Sequence, residues 1–151
     1  MLTEFTIGHS LAASSHTDRG AILIWELGAM GNGRRHLAVG LSLFGSVSDQ
    51  EDTYGPRVRL RYWVSPEVGI DFGPGLAFGR SKPGFNGQLG ISAGDRIGVV
   101  LTLQALPASL YEPSTRALFG GLRLGSGFGV VGGIALPLIG LIYLLSCNCL
   151  D

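Results

Sequence analysis

Leu37-Ala-Val-Gly-Leu-Ser-Leu-Phe-Gly-Ser-Val47 is the stretch on which the fold turns. Leu37, Val39, Leu41, Leu43 and Val47 fall on one side of an extended chain, and His36, Ala38, Gly40, Ser42 and Ser46 on the other. A period of two marks a β-strand with unlike faces, because successive side chains point to opposite sides of the pleat. The rhythm recurs in Phe5, Ile7 and Leu11 against Glu4, Thr6 and Ser10, and in Ile70, Phe72, Leu76 and Phe78 against Asp71, Gly73, Gly75 and Ala77. Phe85, Leu89 and Ile91 oppose Asn86, Gln88 and Ser92, and Ile97, Val99, Leu101 and Leu103 oppose Thr102 and Gln104. With 20–30, 57–65 and 115–124 added, the pattern predicts eight strands and no amphipathic soluble helix.

The connections alternate in length. Gly31-Asn32-Gly33, Ser65-Pro66 and Gly94-Asp95 are tight hairpin signals, whereas 13–19, 48–56, 80–83 and 107–114 are mostly longer and more polar. In an up-and-down antiparallel meander the tight turns share one end and the long connections the other. Eight such strands predict a small closed barrel, with a two-sheet sandwich as the competing arrangement.

The chain of 151 residues holds 11 basic and 11 acidic side chains, so no broad positive field invites nucleic acid. Lys82 is the one lysine, and 25 glycines, far above the usual share, point to close approach of backbones. Residues 124–150 carry no charge, and the twenty residues Phe128 to Cys147 are long enough to cross a bilayer as a helix. The domain boundaries expected are therefore 1–124 for the β domain and 125–151 for a C-terminal transmembrane anchor. LTEFTIGHS after Met1 has no basic region leading into an apolar one, so no secretory signal is read there. Arg116 and Arg123 before the apolar run, with only Asp151 after it, place the β domain on the cytoplasmic side by the positive-inside rule.

Residues 3 to 124 resemble small bacterial outer-membrane β-barrels in pattern rather than in any named motif. The shared features are strands of about ten residues, one bulky apolar face, one face of Gly, Ala, Ser and Gln, and alternating short and long connections. The resemblance implies an apolar face toward lipid and a small polar face lining the interior. A soluble barrel with the apolar face inward gives the same alternation, and a long apolar tail is expected to hold an exported barrel in the inner membrane.

No catalytic, cofactor or metal constellation emerges. Gly127-Phe-Gly-Val-Val-Gly132 has the dinucleotide spacing but no following parallel strand, and Gly90-Ile-Ser-Ala-Gly94 leads into a strand rather than the helix of a nucleophile elbow. Ser14, His16 and Asp18 crowd one loop, and His9, His16 and His36 lack metal-site spacing. Asp49, Gln50, Glu51 and Asp52 lack the ligand alternation of a calcium loop, and Cys147 and Cys149 are too few for zinc.

Two patterns are candidate contact sites. Arg57, Arg59 and Arg61 share one face of a strand with Trp63 two residues on, suited to lipid phosphates or a partner's carboxylates, or equally to a solvated outer face or a polar interior paired with Asp71 or Glu67 on the next strand. Gly121, Gly125, Gly129 and Gly133 recur every four residues, a spacing that lets a neighbouring membrane helix approach closely. The expectation from sequence is a non-enzymatic accessory or scaffold subunit of a bacterial inner-membrane complex, respiratory or photosynthetic. Its partners would be other membrane subunits and the bilayer, without cofactor. The alternatives are a small outer-membrane barrel acting as pore or adhesin, and a lipocalin-like lipid-binding barrel.

Overall fold

The computed structural model describes residues 2–13, 20–34, 36–49, 51–79, 83–94, 96–108 and 114–125. They form eight strands: β1 Leu2–Ala13, β2 Ala21–Arg34, β3 Leu37–Ser48, β4 Thr53–Trp63, β5 Val68–Ala77, β6 Gly84–Ala93, β7 Ile97–Leu106 and β8 Thr115–Leu124. Each pairs antiparallel with its neighbours in sequence, and β8 returns to pair with β1 through Phe5↔Leu124 and Gly8↔Gly121, closing the barrel. Closure removes every sheet edge, which a two-sheet sandwich would leave exposed. The up-and-down meander is therefore observed as a barrel.

The alternating faces dictate which way the strands look. Leu41, Leu43, Ile91 and Val99 are 66%, 67%, 60% and 62% exposed on the outer wall, whereas Arg57 and Arg59 are 0% exposed inside. The arrangement is the inverse of a soluble protein, with the apolar face outward and the polar face in the core. An eight-stranded barrel has an interior just wide enough to be filled by its own side chains. That interior is the only core the described residues possess.

The turns depart from expectation in one place. Gly31-Asn32-Gly33 lies within β2, and the hairpin closes between Arg34 and Leu37, with the register shifting between Asn32 and Arg34. The extra residue is taken up as a bulge, so the Asn-Gly pair does not form the turn. The other two tight turns fall where expected, between Trp63 and Val68 and between Ala93 and Ile97. Gly94 occupies the left-handed region at φ 59°, a conformation glycine adopts without steric cost. In the second turn the Ser65 hydroxyl accepts the Glu67 and Val68 amides at 3.3 and 3.1 Å, pinning a short loop.

No helix among the described residues is long and apolar enough to cross a membrane. The predicted helix of Phe128 to Cys147 lies outside the described residues, as do Gly129 and Gly133. Gly121 corrects part of the expected helical stripe: it is a β8 residue facing Gly8, and a Cβ there would press on Gly8 Cα at 2.8 Å and on the Ile7 backbone. Gly125 ends the barrel, its amide donating to Arg96 O at 2.8 Å.

Candidate functional site

The distinctive chemistry lies in the lumen. Alternate positions on β4 aim Arg57, Arg59 and Arg61 inward, and the same parity on the other strands brings Glu4, Glu26, Asp71 and Arg123 to meet them. Glu4 is the hub, accepting Arg59 Nη2 at 2.6 Å and Arg61 Nη2 at 3.2 Å, with Arg123 Nη1 at 3.5 Å. Asp71 takes Arg61 Nε at 2.6 Å on one oxygen and Arg123 on the other, where Ser92 Oγ also donates at 3.0 Å. Glu26 pairs with Arg57, lies 3.4 Å from Arg59 Nε and accepts the Ser42 hydroxyl at 2.5 Å. The amides complete the web: Arg57 donates to Asn86 Oδ1 at 2.5 Å and Arg59 to Gln88 Oε1 at 2.7 Å.

Four guanidiniums thus share three carboxylates, a surplus of one positive charge among the described lumen residues. Charges taken out of water persist only when paired and hydrogen-bonded, so the web has to be nearly complete. Glycines on β5 make room for it. A Cβ at Gly73 would meet Arg57 Cδ at 2.8 Å, and one at Gly69 would meet Arg61 Cδ at 3.4 Å.

Toward the long-connection end the lumen changes character. Ile22, Ile24, Phe44, Ala77, Leu106, Ala117 and Phe119 pack into an apolar plug, with Ala13 against it. Phe44 forms the border, its ring 4.5 Å from the Arg57 guanidinium carbon, while at the tight-turn end Arg61 sits 5.3 Å from the Trp63 ring. Both are cation–π distances. Ion web and plug follow one another along the barrel, and each charged member of the web is 3% exposed or less among the described residues.

The apolar outer wall carries a ring pair near each end. Tyr54 and Phe78 lie with ring centroids 6.2 Å apart at the long-connection end, and His36 and Tyr62 lie 6.3 Å apart at the tight-turn end. Aromatic residues with a polar tip favour the boundary between hydrocarbon and water. Strands of 10 to 14 residues are long enough to bridge that interval.

Of the placements open to the arginine ladder, contact with lipid phosphates or a partner, a solvated face, or a polar interior, the structure shows the interior, where Asp71 pairs with Arg61 and Arg123, while Glu67 stays exposed in the turn after β4. Trp63 caps the lumen from inside at half burial rather than standing on the outer wall. The sequence reading missed Glu4, Glu26, Arg123, Asn86 and Phe44 as members of the same cluster. Their signal was parity, plain for Glu4, Asn86 and Phe44, which share a face with small polar residues, and hidden for Glu26 and Arg123, whose faces also carry Ile22 and Ile24, and Ala117 and Phe119. Among the described residues no group of three or more His, Cys, Asp or Glu is placed to hold a metal.

No protein-family model matches the chain, and no curated protein does. Among solved structures it is similar to a de novo designed transmembrane β-barrel at 11% identity, with TM-score 0.49 over 83% of this chain and 94% of that one. It is similar to the Yersinia pestis outer membrane protein Ail at 13% identity and TM-score 0.40, over 82% of this chain and 99% of Ail. The KdgM porin is 8% identical at TM-score 0.40, over 82% of this chain and 98% of the porin. The inside-out placement of this chain's own side chains overturns the inner-membrane scaffold reading. A cytoplasmic β domain would hide Leu41, Leu43, Ile91 and Val99 and expose the arginines, the reverse of what is observed.

Proposed function

We propose that the chain is a small, non-enzymatic outer-membrane β-barrel that does not conduct, and that its four long connections serve as its contact surface outside the cell. The observation that carries this reading is the inversion of burial, with an apolar belt outside and seven buried charged side chains inside. A water-exposed wall of that composition is unstable, whereas lipid satisfies it and a closed barrel satisfies its own backbone. The buried ion web and apolar plug of the described lumen favour the adhesin-like member of the alternative over the pore and over a lipocalin-like barrel. Contact with other molecules then falls to the connections after β1, β3, β5 and β7, between Ala13 and Ala21, Ser48 and Thr53, Ala77 and Gly84, and Leu106 and Thr115. Its partners on this reading are the bilayer and an extracellular macromolecule, not nucleic acid.

The test is fractionation followed by electrophoresis without boiling and by planar-bilayer recording. The expected result is an outer-membrane protein that migrates faster unboiled than boiled and gives no discrete conductance steps. A protein soluble without detergent would overturn the membrane assignment, and steady single-channel currents would overturn the closed lumen.

A further inference from the structure

One row of buried positions crosses the lumen wall at the border between ion web and plug. Cross-strand pairing carries it from β4 to β8 as Arg57, Gly75, Asn86, Gln104 and Ala117. Gly75 has no side chain, so Arg57 reaches over it and donates from Nη2 to Asn86 Oδ1 at 2.5 Å. That contact fixes which way the Asn86 amide faces.

The row is short of partners. Asn86 Nδ2 has none, Gln104 has none for either Nε2 or Oε1, and Arg57 Nε, on the same edge of the guanidinium as Nη2, has none. All three side chains are 0% exposed. Arg59 Nε and Arg123 Nη1 also lack hydrogen bonds, but they lie 3.4 and 3.5 Å from the carboxylates of Glu26 and Glu4. Their charge is met; the row's is not.

Buried polar groups ordinarily find partners, because an orphaned donor gives up its hydration for nothing in return. Here the unmet groups are three nitrogens against a single oxygen, so the row calls for an acceptor. The charge count agrees, with four guanidiniums to three carboxylates among the described lumen residues. A water molecule accepts fewer hydrogen bonds than this row offers and leaves the surplus charge standing. An anion accepts from several donors at once and cancels the surplus. The interior of an eight-stranded barrel is barely wider than its own side chains, which favours a single-atom ion over an oxyanion.

We propose that the lumen binds one halide ion, chloride in ordinary salt, between Arg57 Nε, Asn86 Nδ2 and Gln104 Nε2, as the counter-ion of the arginine web. Gln104 turns its nitrogen to the ion, since no protein contact holds its amide the other way. This inference goes beyond the outer-membrane reading and depends on the closed barrel alone.

The full chain is folded from urea into detergent micelles, with sodium held constant and chloride exchanged for gluconate, an anion too large for the lumen. Once the site is nearly full, the folded-to-unfolded ratio is expected to rise about tenfold for each tenfold rise in chloride. Gln104→Glu brings its own anion to the row and is expected to abolish that dependence. Crystals of the unsubstituted chain grown in sodium bromide are expected to show one anomalous scattering peak within hydrogen-bonding reach of the three nitrogens. This second measurement decides the matter even where Gln104→Glu does not fold. Equal stability in chloride and gluconate, a chloride dependence that survives Gln104→Glu, or an ordered water without anomalous signal would each overturn the site. Unboiled migration reports the barrel separately: a heat-modifiable chain indifferent to chloride refutes the ion alone, and a chain with no heat-modifiable form refutes the barrel as well.

Discussion

The two halves of the lumen are built from opposite materials. On the tight-turn side, Arg57, Arg59, Arg61 and Arg123 are laced to Glu4, Glu26 and Asp71, and on the long-connection side Ile22, Ile24, Phe44, Leu106 and Phe119 pack without a charge among them. Both fill the same narrow tube. The plug tolerates imprecision, since apolar packing is non-directional, whereas the web depends on particular oxygens facing particular nitrogens. The web also carries an imbalance, four cations to three anions, that the plug's side cannot screen.

The sharpest way to break this division is to move charge across it. Ile24 lies in the plug, one inward position from Glu26 on the same strand. Ile24→Lys adds a second unmatched cation to a lumen already in surplus. It should destabilise the barrel by more than about 4 kcal/mol, the scale of an uncompensated buried charge. Ile24→Glu, similar in size, supplies the missing anion and should cost clearly less. Urea unfolding in detergent micelles, followed by unboiled migration, reads the pair; equal losses would show that the surplus has no energetic meaning.

Next in size is the loss of a hub. Glu4→Gln keeps the shape but leaves Arg59, Arg61 and Arg123 sharing one anion fewer, at a cost of about 3–5 kcal/mol for breaking a buried pair. Arg123→Gln removes one cation from the surplus side and should be the milder of the two. If Arg123→Gln unfolded at the lower urea concentration, the web would not be limited by its supply of anions.

The parity of these residues explains how much the sequence revealed. Alternation in Leu37 to Val47 and its repeats was enough to count the strands and to separate tight turns from long connections, because period two survives in any environment. Which face looked inward was not legible from that alternation, since both directions satisfy it. Arg57, Arg59 and Arg61 were visible as a ladder, but their partners Glu4 and Glu26 sit on β1 and β2, and Arg123, which shares Glu4 and Asp71 with them, sits on β8; only closure brings those strands around to β4. The clue within reach was sign and type: the polar face mixes both charges and has no lysine among its buried residues, unlike a solvated surface. Asn32-Gly33 misled because a bulge absorbed the pair into β2. The apolar tail drew the functional reading toward the inner membrane, a conclusion drawn from residues outside those the structure describes.

The smallest effect is expected at the border between the halves. Phe44→Leu retains bulk but removes the aromatic face opposite Arg57, and should cost about 1 kcal/mol in the same unfolding assay. A cost indistinguishable from zero would make Phe44 simply the first residue of the plug.

The return of β8 to β1 has a topological consequence. Every strand pairs through its backbone with its two neighbours in the ring, and Phe5 lies opposite Leu124, so the two strand termini meet side by side at one rim. The barrel is therefore a ring with no privileged first strand: its identity resides in a cyclic order, and the point at which the polypeptide happens to be opened is a label laid on that order. Joining the two strand termini and opening any long connection would leave every strand pair, the web and the plug unchanged, a circular permutation that preserves the physical structure while rewriting the sequence from its first residue.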